Sequence, residues 1–429
     1  MKTLLCAATL VLASCFALGQ QYKLLWSFGG APNNDGGLPV SSLVLDSAGN
    51  LYGTTESGGT IDAGTVFELS PNPDGTWLET VLYNFCTNLA NGLCLDGQDP
   101  VAGLAFDQAG NLYGTTNNGG SVYCPITSFG CGTVFELSPP GRGKTIWTET
   151  VLYSFCSDLS GNQCLDGALP ASQLIFDASG NLYGTTATSG TGAWAGGTVF
   201  ELSPNVGGWT HTTLYNFCVN GHGRICPDGD QPQAGVTFDK AGNLYGTTMS
   251  GGTRNTQGTG EVYELSPISN GWTQTVVFAF SPSGRGLAIP LGTVSFDPSG
   301  NLYSTASEGF PGGGVFELQP KTRTERHFVF NGTNEGGGPA AGVLIDPKIK
   351  ALYGTTVGGG SGQGGVVFKI TKSGQETVLY NFCQQANCTD GLFPYASLIE
   401  DKAGNLYGTT KEGGANNQGV VFEITPNNK

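Results

Sequence analysis

The sequence predicts an all-β fold, a seven-bladed β-propeller of four-stranded antiparallel blades. Three observations predict it: a phrase that returns seven times, a composition poor in charge and rich in glycine, and a strand count that leaves the last blade one strand short. The phrase Asn50-Leu51-Tyr52-Gly53-Thr54-Thr55 is matched by copies starting at Asn111, Asn181, Asn243, Asn301, Ala351 and Asn405, a mean period of about 59 residues. Short strands repeating at that length build radial blade arrays. Charged residues make up 12% of the chain and 70 of its 429 residues are glycine, which suits turns and packed strands better than charged surface helices.

Each repeat reads as four strands. The first is apolar, as in Ala102 to Phe106, and ends in an aspartate that opens an Asp-x-x-Gly-Asn turn. An Asp that bonds its own backbone, followed by a Gly able to take positive φ, closes a tight hairpin there. Asp46, Asp107, Asp177, Asp239, Asp297, Asp346 and Asp401 are therefore expected to be turn formers. A calcium reading would need ligand spacing that no Asp-x-Asp-x-Asp-Gly loop supplies, and no metal or other cofactor is expected.

The second strand is the Leu-Tyr-Gly-Thr-Thr phrase itself. The third, Thr133 to Leu137 and its copies, alternates Glu68, Glu136, Glu201, Glu264, Glu317 and Glu423 with apolar residues. Lys369 takes the position in repeat six, which fits a partly solvated face. The fourth, Thr80 to Phe85 and its copies, is preceded by Trp77, Trp147, Trp209 and Trp272, read as packing residues of the hairpin. β-Branched and aromatic residues dominate all four strands.

Six fourth strands follow seven sets of the first three. Leu24 to Phe28 has the fourth-strand pattern with no blade before it. The N-terminal strand is thus expected to pair in the last blade and close the ring without a disulfide, leaving no bare blade edge.

Acidic residues exceed basic ones by 15, with no basic run, which excludes an electrostatic partnership with nucleic acid or anionic lipid. Lys2 and the apolar stretch Leu4 to Leu12 read as a secretory signal, too short to span a bilayer. Residues 1–19 are expected to be that signal and 20–429 the propeller. The alternative is a lipobox ending at Cys15, with a lipid anchor there. No transmembrane segment is expected after it. Ten further cysteines fall into close pairs, Cys86/Cys94, Cys124/Cys131, Cys156/Cys164, Cys218/Cys226 and Cys383/Cys388. They read as disulfides formed in an oxidising compartment, stapling loops rather than the core.

The recurring Asp-x-x-Gly-Asn-Leu-Tyr-Gly-Thr-Thr, then Gly-Gly, then Gly-Thr-Val-Phe-Glu-Leu-Ser-Pro resembles the GloVer repeat of exported tandem-repeat proteins from environmental bacteria. The resemblance runs from about Tyr22 to the C-terminus. Repeat five departs from it at Ser304 and Ala306, and repeat six at Lys350-Ala351. It implies an exported protein and brings no established catalytic activity. Members carry varied C-terminal anchors, and none is expected before Lys429. The strand pattern is also similar to propellers of the NHL type, a likeness of fold alone.

Antiparallel strands put the second-to-third loops and the inter-blade links at one end of the barrel, and all five cysteine pairs fall there. Long, varied loops on a rigid scaffold are where binding residues concentrate. Candidate ligand contacts on this face are Trp194, Tyr123, Phe129, Phe310 and Phe393, aromatics able to stack on sugars or anchor a protein. With them are Asp99, Asp230, His222 and Arg224. Asp158, Glu412, Arg254 and Arg285 share the face.

The leading expectation is an exported scaffold binding a glycan or protein through the stapled loops. Two alternatives stand beside it: a polysaccharide hydrolase or lyase at the channel mouth, which needs paired carboxylates, and a structural envelope protein. No oligomeric state is expected from the sequence.

Overall fold

The computed structural model describes residues 21–142, 145–191, 195–219, 221, 225–252, 258–280, 286–309, 311–320, 322, 324–348 and 350–426. Seven antiparallel sheets form the blades of a propeller, and in all but the last the four strands follow chain order from the axis outward. In the first blade the strands are Val44–Leu45, Leu51–Thr55, Thr65–Pro71 and Trp77–Asn84. In the third, Ala168–Pro170 adds a short extra strand.

The last blade holds Ile399–Glu400, Leu406–Thr410 and Val420–Thr425, and its outermost strand is Gln21–Ser27 from the other end of the chain. Gln21 lies opposite Thr425 and Ser27 opposite Val420. The expected closure is present, with a strand that begins three residues earlier than the pattern indicated.

The first strands are shorter than expected. In blade two only Ala105–Phe106 pairs with the Leu112–Thr116 strand. The residues before them leave the ladder to line the axis, and their carbonyls are satisfied from the neighbouring blade. The first threonine of each Thr-Thr pair donates its hydroxyl to a first-strand carbonyl of the next blade: Thr54 to Ala102 (2.9 Å), Thr185 to Ala234 (3.1 Å), Thr305 to Ala341 (2.8 Å) and Thr355 to Ala396 (2.9 Å). Thr115, Thr247 and Thr409 do the same, the last reaching Ser41 across the closure. These hydroxyls are buried, so a missing partner would cost each about 1–3 kcal/mol.

The core lies between blades rather than within them. The phenylalanine ending each fourth strand packs on the third-strand aromatic of the next blade. Phe85 meets Phe135 at 5.1 Å, Phe217 meets Tyr263 at 4.9 Å, and Phe28 meets Phe67 at 5.1 Å across the closure. The same pairing occurs at the other four junctions.

This packing explains the glycine of the repeated phrase. A Cβ on Gly53 would sit 2.7 Å from the Phe67 ring. Blade five carries Ser304 there, and Gly292 provides the space: a Cβ on Gly292 would fall 2.7 Å from the Ser304 hydroxyl, which instead donates to the Gly292 carbonyl at 2.8 Å.

The Asp-x-x-Gly-Asn turns form as expected. Asp46 Oδ1 accepts from the amides of Ala48 and Asn50, Oδ2 accepts from Asn50 Nδ2, and Gly49 takes φ 95°. The tryptophans do more than close their own hairpins. Trp77 packs edge-on against Tyr407 and Trp209 against Tyr113, each tyrosine belonging to the preceding blade.

All five expected disulfides are present, but the expectation that they staple loops and stay out of the core needs correcting. Cys86, Cys94, Cys124, Cys131, Cys156, Cys164, Cys218 and Cys226 are buried, and those from Cys86 to Cys164 belong to the hydrophobic clusters between blades. Two bridges touch, with Cys131 Sγ 3.6 Å from Cys164 Sγ. Cys383 and Cys388 depart from the rest, since both are only half-buried.

The physical reason is the length of the closed loop. Cys383 and Cys388 are 5 residues apart, against 8 for Cys86 and Cys94. Eight residues fold a small hairpin, Leu89–Ala90 against Leu93–Cys94, between the cysteines. Five cannot, and the chain makes a 3-10 turn, Ala386–Cys388, that leaves the bridge near solvent. Cys388 takes φ 52°, and its carbonyl still does what that of Cys94 does. It accepts from the amides of Gly391 and Gly414 at 2.9 and 3.0 Å, as Cys94 accepts from Gly97 and Gly120 at 3.0 and 2.8 Å.

Candidate functional site

Two features set apart the end of the propeller that carries the disulfides: the axial channel and the loops around its mouth. Residues from all seven first strands line the channel, which encloses about 770 Å³. Its polar lining consists of hydroxyls and amides such as Ser41, Ser172, Gln173, Gln233 and Thr293. Among the described residues no lining side chain is an acid, a histidine, a lysine, an arginine or a cysteine. Lys411 and Glu56, in equivalent positions of blades seven and one, form an ion pair of 2.8 Å near Tyr395.

A second recurring phrase builds the mouth. Six of the seven links end in an acid-Gly-x-x-Pro unit: Asp35 to Pro39, Asp96 to Pro100, Asp166 to Pro170, Asp228 to Pro232, Glu335 to Pro339 and Asp390 to Pro394, whereas the link before blade five reads Gly286 to Pro290, without the acid. The acid ties down the preceding strand. Asp96 accepts from Tyr83 Oη at 2.8 Å, Asp166 from Tyr153 at 2.7 Å and Asp390 from Tyr380 at 2.8 Å.

The residue before the proline is left-handed even where it is not glycine: Leu38, Asp99, Leu169, Gln231, Ile289 and Phe393 all have φ between 55° and 60°. That conformation is strained for a residue preceding proline, and two hydrogen bonds hold it. Asp99 donates its amide to Ala63 of the previous blade and accepts from Asn117 of its own, each at 3.0 Å. Phe393 repeats this with Gly364 and Lys411, both at 2.9 Å.

The sequence-nominated residues therefore sort into different roles. Asp99 and Phe393 occupy the strained ring position, and Asp230 sits beside it. Asp99 accepts from Asn118 Nδ2 at 2.9 Å and Asp230 from Ser250 Oγ at 2.9 Å. Burial pushes both carboxyls up, opposed by these bonds. They lie in blades two, seven and four and do not converge.

Tyr123 and Phe129 do share a loop. Tyr123 precedes the Cys124–Cys131 bridge and Phe129 lies within it, 65% and 56% exposed. Exposed Ile61, Leu89, Ile126, Leu159 and Val219 extend the surface along the loops of blades one to four. Cys86–Cys94, Cys156–Cys164 and Cys218–Cys226 staple the same arc, whereas Cys383–Cys388 lies outside it, in the link before blade seven. Trp194, Phe310, His222, Arg224, Arg254 and Arg285 lie outside the described residues, as do Cys6 and Cys15.

Carboxylates do pair in this molecule, but in the clefts between blades. Glu79, Glu149 and Glu376, one per fourth strand, face Asp35, Asp96 and Glu335 of the acid-Gly-x-x-Pro units. Burial first and the facing carboxylate second push each glutamic acid up to about 8, so it is protonated at neutral pH. In blade three the position is His211, which burial lowers to about 4, stacked on Tyr153 at 4.5 Å. Glu261 is another buried acid, at a place where Thr65, Thr133 and Thr198 stand in other blades. Burial holds it well above the ordinary carboxyl range, and it accepts from Gln274 Nε2 at 2.8 Å. These acids seal interfaces and do not face an open site.

The model of the Gloeobacter/Verrucomicrobia repeat matches three overlapping stretches, residues 13–163, 127–287 and 255–429. The chain belongs to that family. As a member of the Gloeobacter/Verrucomicrobia repeat family it has no match among curated proteins.

Among solved structures it is similar to the extracellular domain of BT4673 from B. thetaiotaomicron, at 14% identity and a TM-score of 0.52, covering 95% of this chain and 42% of that one. It is also similar to the periplasmic gluconolactonase PpgL of Pseudomonas aeruginosa, at 15% identity and a TM-score of 0.47, covering 80% and 84%. Likeness at this level is one of fold.

Proposed function

We propose that this repeat-family propeller is an exported binding scaffold that recognises a glycan or a protein through the stapled loops of blades one to four. The observation that carries the reading is the arc of exposed Tyr123, Phe129, Ile126 and Leu89 on loops held by four disulfides. Exposed aromatics on immobile loops bind with little ordering cost. The neutral, hydroxyl-rich channel lining favours binding over acid–base chemistry, and the paired carboxyls elsewhere are committed to inter-blade packing.

Export is supported by the disulfides and by the sequence of residues 1–19, read as a signal peptide cleaved before Gln20, with lipidation at Cys15 as the competing route. The intact mass of the mature protein separates the two.

The test of the binding reading is a glycan array and an extracellular-protein array, each probed with the native protein and with a Tyr123→Ala/Phe129→Ala variant. Selective binding that the variant loses supports the scaffold and its site. Binding retained in the variant moves the site off this arc, and silence on both arrays overturns the proposal.

A further inference from the structure

At the opposite end of the barrel, where the Asp-x-x-Gly-Asn turns lie, a tryptophan closes several of the inter-blade clefts. Trp77 pairs with Pro71 at the last rung of its hairpin, while Trp209 pairs with Pro204 and Trp272 with Pro267 one rung before the end of theirs. Each indole packs toward the second-strand tyrosine of the preceding blade: Tyr407 for Trp77, Tyr113 for Trp209 and Tyr183 for Trp272. Trp147 joins the cluster of Tyr52 in the same way.

Blade six, like blades five and seven, carries no tryptophan at this place. Its third-to-fourth hairpin ends two rungs sooner than that of blade one, with Ile370 opposite Glu376 as the last pair. The chain then turns through Gly374 at φ 91°, with Thr371 donating to the Gln375 carbonyl at 2.9 Å and Gly374 to the Thr371 carbonyl at 2.8 Å. The rung that would carry the tryptophan is missing, and the cleft between blades five and six remains open as a cavity of about 320 Å³.

The walls of this cavity are those that hold the indole elsewhere. Tyr303 stands where Tyr407 stands in the Trp77 cleft, and Ile345 where Leu45 stands. Phe328 adds a second ring. Arg326 lies over that ring at 4.6 Å and bridges to blade six, donating to the carbonyls of Lys372 and Ser373 at 3.2 and 3.1 Å. Around these apolar walls the lining is charged in both senses, with Asp297, Glu317 and Asp346 against Arg326, Lys350 and Lys372. A concave site with apolar walls, a few convergent charges and this volume is of small-molecule type.

We propose that this cleft binds a free aromatic amino acid, its ring seated where the missing indole would be. The carboxylate then meets Arg326 and the ammonium meets the acids of the opposite wall. The balanced charges select a zwitterion over a simple aromatic acid or amine, and they also argue for a free molecule over the side chain of a bound protein, which would bring a ring and neither charge. The site is separate from the stapled loop face and does not depend on it.

Calorimetric titration of the full chain with L-tryptophan, L-tyrosine, L-leucine, tryptamine and indole-3-propionate tests the idea. The expected result is saturable binding of an aromatic amino acid at about 1 mM or tighter, with leucine and both single-charge analogues weaker by about tenfold or more. Two variants locate it. Replacing residues 371–375 with the longer blade-three hairpin, residues 203–210, restores a tryptophan and should abolish binding while the melting temperature holds or rises. Arg326→Gln, which keeps the hairpin, should weaken the amino acid by about tenfold. Absence of binding for every aromatic amino acid, equal binding of leucine, or unchanged affinity in a folded Arg326→Gln variant would overturn the proposal.

Discussion

Raising the pH should loosen the propeller through Glu79, Glu149 and Glu376. Each is protonated in the folded state up to about 8 and titrates near 4.5 when unfolded. Between those values the folded chain holds protons that the unfolded chain has released. The stabilisation is therefore complete below pH 4.5 and is lost as the pH climbs through 8.

A displacement of that size corresponds to at most about 5 kcal/mol per site. Partial exposure brings the realistic figure to about 1–2 kcal/mol, lowest at Glu376, the least buried of the three. Together they amount to several kcal/mol, against a total stability that is itself marginal.

The assay is the denaturant midpoint measured from pH 6.5 to 9.5 for the native protein and for a Glu79→Gln/Glu149→Gln/Glu376→Gln variant. The native midpoint should fall steeply from pH 6.5 to about 8 and level off above it, and the variant's slope should be much flatter. A variant with the native slope would show that these carboxyls are not protonated in the folded state, and the inter-blade acid pairs would need another explanation.

Below that window His211 acts in the other direction. It is held neutral down to about 4, so its contribution is lost as the pH falls from 6.5 toward 4. A His211→Gln variant should show a shallower acid limb in the same midpoint assay. Thr54→Val removes a hydroxyl that donates across blades at 2.9 Å and should cost about 1–2 kcal/mol in urea unfolding, because the Ala102 carbonyl is left buried and unpaired. Glu261→Thr introduces the residue found in blades one to three and should raise the melting temperature, most at alkaline pH, as followed by calorimetry. Cys124→Ser frees Cys131 within 3.6 Å of Cys164. Peptide mapping should then find a Cys131–Cys164 bridge and a free Cys156 thiol.

Much of the fold was legible because the repeat is written on residues whose neighbours are close in sequence. Asp46 and Gly49 form their turn within five residues, and Cys86 and Cys94 close a loop of eight. The closure by Gln21–Ser27 followed from counting strands.

What stayed hidden involves partners a blade away. The tryptophans looked like hairpin residues because their tyrosines lie in the preceding repeat. The depth of the cysteines was hidden for the same reason: spacing pairs them, but the neighbouring blade is what covers them, and it leaves Cys388 half open. The acid-Gly-x-x-Pro phrase was present in the sequence, but its flanking loops differ in length and masked the period. Asp99, Asp230 and Phe393 then resembled loop variation, and only the backbone shows them at or beside a strained ring position. Tyr123 and Phe129 kept their standing as candidates because burial, which the sequence could not supply, leaves them exposed.

The pairing of Gln21–Ser27 with Val420–Thr425 also fixes an order of events. The strand made early waits, unpartnered, until one of the latest leaves the ribosome, so the circle cannot lock while synthesis is under way. Blades two to six can stack progressively behind the growing chain, whereas blade seven forms all at once or not at all. The two ends finish side by side in one sheet. A circular permutant opened in an outer hairpin such as residues 205–208, with the native ends joined, should therefore keep the ring and change only the moment at which it shuts.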